Sequence, residues 1–390
     1  MGLINVQLQT RIRNHLLAVD FMLDNELVAL LGRDGAGKTE ILRSLAGVYA
    51  PENGVIEIQG RTVVNTALAI NVPSAERHVG WVPRVGSLFP QQSVAENVRF
   101  PFRRGYPLSE LESERRIDEV LDLLSLAPRR NRLVRDLDLR EQYWVALART
   151  LVLDPELIVI DQPFTEFDVT LQRKLRHDVQ RVRRLIGVPM LVGTTDLEEA
   201  YEIGDRIALI HAGQLLQIDP PRRLVTRPAN RAVAELVRSV NVFPATVLER
   251  YEDGVAVETE LGTLHVAGLR PASTRLEAVI RPEHIRILGD NESPAAHENV
   301  LHGTILETID YGALFTLAFQ PDGAPSSRVL EISVSEPLFR QLELERRGRR
   351  AVVIPSHALH LMELPSEELS GEEEWIPNES ESTERPEPLA

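Results

Sequence analysis

The sequence predicts an α/β domain with a mostly parallel sheet covered by helices, followed by a smaller β-rich domain. Three observations carry this expectation. From Gly2 to about Ser239, short apolar runs alternate with amphipathic helical stretches. A glycine-rich loop joins an apolar run, Leu27–Leu31, to a helix beginning at Lys38. Beyond Ser239 the helical period gives way to short segments of alternating polarity.

The elements follow in order. Leu27–Leu31 is a buried strand, and Lys38–Tyr49 is a helix with Ile41, Leu42, Leu45 and Val48 on one apolar face. Residues 106–150 read as largely helical, with Pro107, Ser109 and Glu110 opening the amphipathic run Leu111–Leu126. Leu157–Ile160 is a second strand, followed by a helix through Leu171–Leu185, and Met190–Val192 is a third strand. Arg206–Ile218 reads as a hairpin turning at His211-Ala212-Gly213. Later strands are expected at Pro244–Leu248, Val255–Glu258, Thr263–Val266, Ala278–Ile280, Gly303–Glu307 and Val329–Val334, in the manner of a barrel or sandwich. The expected division is 1–239, with a helical subdomain at about 92–150, then 240–364, then a disordered acidic tail at 365–390.

Composition narrows the function. The chain has 390 residues and no cysteine, which excludes disulfides, thiolate metal sites and thiol catalysis. Its net charge of −15 argues against nucleic acid as a partner. Nine Glu and one Arg in residues 365–390 supply −8 of that charge. No stretch approaches the roughly 20 apolar residues of a membrane helix, and the N-terminus lacks a signal-peptide pattern, so a cytoplasmic location is expected. Lys38 and Lys174 are the only lysines.

One of those two lysines stands in Gly32-Arg33-Asp34-Gly35-Ala36-Gly37-Lys38-Thr39, which fits G-x-x-x-x-G-K-[ST] between a strand and a helix. Glycines let backbone N–H groups face a polyphosphate, and the helix N-terminus adds partial positive charge. Lys38 is placed to reach the terminal phosphates, and the Thr39 hydroxyl to ligate Mg²⁺. Neither lysine sits in the base-reading motif of a GTPase, and Glu40 replaces the third glycine of a Rossmann fingerprint.

Further motifs carry a family resemblance. They are Ala18-Val19-Asp20-Phe21, Val72 to Val82, Leu88-Phe89-Pro90, Val94 to Val98, Val145 to Arg149, Asp161-x-Pro163, Asp168, Asp196-x-Glu198-Glu199-Ala200 and Asp205-Arg206-Ile207. In this order and spacing the first 230 residues resemble the ATP-binding subunit of an ABC importer, most of all its molybdate-type branch. The C-terminal region, with Arg281-Pro282-Glu283-His284-Ile285 and Asn299-Val300-Leu301, resembles the small oligonucleotide-fold-like domain appended to such subunits. The resemblance implies a P-loop ABC-type nucleotide-binding domain with ATP and Mg²⁺ as ligands. It implies a second ATP-binding subunit in a homo- or heterodimer, and membrane permease subunits that hold the protein at the inner face of the cell membrane. Asp161 matches the position that holds Mg²⁺, and a carboxylate suits that hard ion. His15 matches an aromatic that stacks on adenine.

The chain departs from the family at four places. Gln162 stands at the position of the catalytic glutamate, where a neutral amide cannot accept a proton from water; losing a general base removes roughly 10²–10⁴ in rate. Thr195 replaces the switch histidine, and Arg84 replaces the Q-loop glutamine. The signature Leu-Ser-Gly-Gly-Gln aligns on Leu137-Asp138-Leu139-Arg140-Glu141, where Asp138 is expected only to cap its helix. The expectation is therefore an importer subunit, for an oxyanion such as molybdate, that binds Mg-ATP and hydrolyses it poorly. The alternatives are an active transport ATPase using non-standard residues, and a nucleotide- or ligand-sensing regulatory module. His357 and His360, three apart, lack an evident third metal ligand.

Overall fold

The computed structural model describes residues 3–364 except 13–14, 83–86, 105–107, 269–270, 290–291, 295–297 and 346–347. The expected acidic tail and Arg84 therefore lie outside the described residues.

The first part of the chain builds one sheet from β1 (Ile4–Ile12), β2 (His15–Leu23), β3 (Leu27–Leu31), β4 (Asn53–Ile58), β5 (Arg61–Asn65), β6 (Ile70–Asn71), β7 (Val79–Val82), β8 (Leu157–Asp161), β9 (Met190–Thr194), β10 (Arg206–His211) and β11 (Gln214–Asp219). Among the described residues their order is β6-β5-β4-β1-β2-β11-β10-β3-β9-β8-β7. The half from β3 to β7 is parallel. The other edge, β6 to β2, is antiparallel, so the expectation of a mostly parallel sheet holds for only one side. Period-two burial explains that side: Ile4, Val6, Leu8, Thr10 and Ile12 point inward along β1, and the residues between them do not. The parallel strands β3 and β9 are buried at every residue, as strands covered on both faces must be.

The helices of this part are α1 (Lys38–Ala46), α2 (Val94–Arg99), α3 (Glu110–Leu123), α4 (Leu139–Leu151), α5 (Val169–Ile186), α6 (Leu197–Ile203), α7 (Pro221–Thr226) and α8 (Arg231–Leu236). Helix α1 stops three residues before Tyr49, because Gly47 takes a left-handed φ of 74°. Val48 is consequently 65% exposed and does not join the apolar face expected of it. Ile41, Leu42 and Leu45 do join it, beneath the sheet. Helix α3 opens with a reciprocal capping box between Ser109 and Glu112 and ends at Leu123, short of Leu126. Helices α2, α3 and α4 share a core with β8 and α5 through Val98, Ile117, Leu121, Val145, Ile160 and Phe164.

Two five-stranded sheets follow, enclosing one apolar core in a barrel-like arrangement. The first takes β12 (Asn241–Arg250), β13 (Gly254–Thr259), β14 (Gly262–Ala267) and β15 (Arg275–Ile280). The second takes β16 (Arg286–Ile287), β17 (Asn299–Asp310), β18 (Leu314–Pro321), β19 (Leu330–Ser335) and β20 (Arg349–Ile354). A last strand, β21 (His360–Glu363), returns to pair with β15 in the first sheet.

Candidate functional site: a phosphate-loop cleft

Strand β3 ends at Leu31 and α1 begins at Lys38, so the glycine-rich loop lies at the carboxyl end of a parallel strand, beside β9 and β10. Gly37 is left-handed with φ 103°, and a Cβ there would meet Leu17 Cδ1 at 2.8 Å. Lys38 is 4% exposed. Its Nζ donates to the carbonyls of Gly32 (2.6 Å) and Arg33 (2.9 Å). Burial pulls the ammonium below the usual lysine range, opposed by Asp34, Asp161 and Glu40. The ammonium is thus parked on the loop it serves.

Asp161 closes β8 and faces the start of α1. Thr39 Oγ1 donates to Asp161 Oδ2 at 3.0 Å. Asp161 Oδ1 is buried with no hydrogen-bond partner. A hydroxyl and a carboxylate oxygen without a donor are hard-oxygen ligands, so this pair fits Mg²⁺, which takes one or two protein ligands and completes its shell with phosphate and water. Among the described residues no group of three or more His, Cys, Asp or Glu is placed to enclose a metal by itself.

Gln162 follows with a left-handed φ of 46°. Its N–H donates to the Gly193 carbonyl at 2.8 Å, and its Nε2 donates to Asp34 Oδ1 at 3.3 Å. The amide therefore reaches across to the phosphate loop. A cleft of about 540 Å³ gathers His15, Asp34, Gly35, Gly37, Lys38, Thr39 and Gln162, together with Ile12 and Glu40, which sequence reasoning did not single out. Ala36 is buried beneath this loop. The His15 Nε2 atom is buried without a partner.

Thr195 is not in that cleft. It lines a second one, of about 980 Å³, with Gly32, Arg33, His211 and Arg238. Of the expected site residues, Gly32, Arg33 and Thr195 line this second cleft, and Lys38, Thr39 and Gln162 the first. Flanking Thr195, Thr194 Oγ1 accepts from the Asp196 N–H at 3.0 Å, and Asp196 caps α6. Behind this turn Glu199 is 3% exposed, and its carboxyl is pushed up to about 7 by burial, against the opposing Thr194 hydrogen bond and Arg176.

Asp138 is the N-cap of α4, accepting from Glu141 N–H at 2.7 Å while Glu141 reciprocates. Arg140 is drawn away to Asp178 at 2.5 Å. Near the start of β7, a groove of about 450 Å³ is lined by Trp81, Phe89, Phe100 and Arg149 among others. Arg149 holds its rim by donating to the Ser87 carbonyl (2.8 Å) and hydroxyl (2.7 Å). That role was missed; a lone arginine closing an apolar run of α4 was the available signal. His360 donates to the Pro228 carbonyl at 3.1 Å, so it is engaged by backbone.

Comparison with known proteins gives this geometry a family. Residues 19–165 match the family described as ABC transporter. The Fe(3+) ions import ATP-binding protein FbpC 2 of Haemophilus influenzae is 30% identical over 76% of this chain and 81% of its own length. The spermidine/putrescine import ATP-binding protein PotA of Methylococcus capsulatus is 34% identical over 82% of this chain and 81% of its own. Among solved structures, MJ1267, an ATP-binding cassette of an ABC transporter in its ADP conformation, superposes with a TM-score of 0.52 at 16% identity, covering 60% of this chain and 98% of that one. The chain belongs to the ABC transporter family of ATP-binding proteins.

Proposed function

We propose that this chain is the ATP-binding subunit of an importer-type ABC transporter, holding Mg-ATP in the Lys38 cleft and turning it over poorly. The observation that carries the reading is the paired Thr39 hydroxyl and Asp161 carboxylate beside a buried, loop-bound Lys38. In it Gly32 to Gly37 present backbone donors to the phosphates, Lys38 neutralises their charge, and His15 lies where a base would stack. Mg²⁺, held by Thr39 and Asp161, would screen charge on the phosphate oxygens. Gln162 orients water through its amide but takes no proton from it, and its hydrogen bond to Asp34 fixes it facing the loop. Thr195 lies in the neighbouring cleft, and Asp138 is spent on capping α4.

Residues 1–239 are the nucleotide-binding part of this reading and 240–364 the appended domain. The Trp81–Phe100 groove supports docking of a permease segment, which would place the protein at the inner face of the membrane. No helix among the described residues is long and apolar enough to cross one. A second ATP-binding subunit completes the assembly. The relatives, import proteins for Fe(3+) and for spermidine/putrescine, point to those solutes as cargo, and the molybdate-type motifs point to an oxyanion. The test is ATP binding and steady-state turnover on the full chain, Lys38→Ala and Gln162→Glu. We expect Mg-ATP to raise the melting temperature of the wild type and not of Lys38→Ala, with negligible turnover in all three. Appreciable turnover that needs Lys38 would overturn the poor-hydrolysis reading; no thermal shift at millimolar Mg-ATP would overturn the nucleotide site.

A further inference from the structure

A cavity of about 490 Å³ lies where α7 meets the β-barrel, and it shares no lining residue with the phosphate-loop cleft. Helix α7 and the turn after it contribute Arg222 and Arg227; the segment after β15 contributes His284 and Arg286; the turn before β21 contributes His357. We propose that this cavity binds a small, multiply charged oxyanion of the phosphate or pyrophosphate class.

The charge balance points there. Among the described residues the chain carries an excess of carboxylates, and most arginines near this junction have found one. Arg223 pairs with Asp219 at 3.5 Å, Arg281 with Glu283 at 2.9 Å, and Arg286 with Glu298 at 3.0 Å and Glu292 at 3.2 Å. The carboxylate on the cavity wall, Glu283, is thus already engaged. Arg222 and Arg227 make no ion pair among the described residues, though both face the same space. His360, also on the wall, is tied to the Pro228 carbonyl and is not counted.

Two guanidinium forks, with the His357 ring on the same wall, offer several N–H donors to one anion, the arrangement that favours bidentate contact with phosphate oxygens over a single point charge. The cavity is open, and its charged lining is mainly cationic: Arg222, Arg227 and Arg286 against Glu283. An anion seated here contacts α7 on one side and the barrel on the other, so it would hold the two parts at a fixed junction.

The test is calorimetric titration of full-length protein with inorganic pyrophosphate. Because the phosphate loop also attracts pyrophosphate, the measurement is made in Lys38→Ala as well. We expect one binding event to survive in Lys38→Ala and to weaken at least tenfold when Arg222→Gln and Arg227→Gln are added. Loss of all binding in Lys38→Ala, or no change on adding the arginine substitutions, overturns the proposal. Should the triple variant fail to fold, histidine ring resonances of the unmodified chain decide. His284 and His357 shift with pyrophosphate if the cavity is a site; a response confined to His15, which lines the other cleft, overturns it.

Discussion

At the scale of single residues, the candidate site is set by what each side chain can donate or accept. Lys38 and Thr39 were legible in the sequence because a strand–loop–helix unit fixes their spacing, whereas Asp161, 122 positions from Thr39 and on a strand separated from β3 by β9, was assigned only through the family resemblance. The link from Gln162 to Asp34 was not legible, since the two lie 128 positions apart and only sheet order brings them together. Nor was Glu199, which reads as an ordinary surface acid in an Asp-x-Glu-Glu pattern and is instead buried among Thr194, Arg176 and Tyr143. Its carboxyl, pushed from 4.5 to about 7, binds its proton more tightly in the folded chain than in the unfolded one. Its contribution is therefore complete below the unfolded value and is lost as pH rises through about 7. Glu199→Gln removes that loss. Urea unfolding at pH 5 and pH 8 is expected to show the variant gaining on the wild type as pH rises, by at most about 3 kcal/mol. A stability difference that stays constant across this range would show that Glu199 titrates normally.

Secondary-structure elements were legible where punctuation is local and obscure where pairing is distant. Helix α4 is the clear case: Asp138 followed three residues later by Glu141 spells a capping box, and the structure contains it. The β1–β2 hairpin has the period-two pattern of a strand pair, yet its antiparallel partner β4 lies beyond a helix and a loop. Its period-two pattern separates it from the continuously apolar parallel strands, but nothing local names β4 as the partner. Conversely, Gly47 stopped α1 before Val48 although the apolar spacing ran on, because one left-handed residue outweighs periodicity. The capping role of Asp138 separates two substitutions. Asp138→Ala leaves N–H groups of α4 without an acceptor and should cost about 1 kcal/mol, whereas Asp138→Ser keeps an acceptor and should cost a few tenths at most. Equal losses on thermal unfolding would mean that the charge, and not the cap, matters there.

For the whole molecule, the three apolar clusters of the first part and the single core of the barrel meet at a small junction. Ala234 on α8 packs with Val242, Val279 and Met362 of the barrel. Around that contact the polar links are few: Arg281 donates to the Val237 carbonyl at 3.3 Å, His360 to the Pro228 carbonyl at 3.1 Å, and Arg231 reaches Glu277 at 2.5 Å. Glu277 is the exposed question in this arrangement, because its side chain is only 9% accessible while that of Arg231 is 57% accessible. The carboxylate has been taken out of water and depends on its partner, whereas the guanidinium does not. Removing the arginine should therefore cost more than removing the charge on the glutamate: Arg231→Leu leaves a desolvated anion and is expected to cost about 2 kcal/mol, and Glu277→Gln, which leaves a half-exposed cation, less than half of that. The loss belongs to the junction, so in differential scanning calorimetry it should fall on the transition of the barrel, while the shift produced by Mg-ATP at the phosphate loop stays unchanged. Equal costs for the two substitutions would show that Glu277 does not depend on Arg231, and loss of the nucleotide-dependent shift in Arg231→Leu would show that the effect is not confined to the junction.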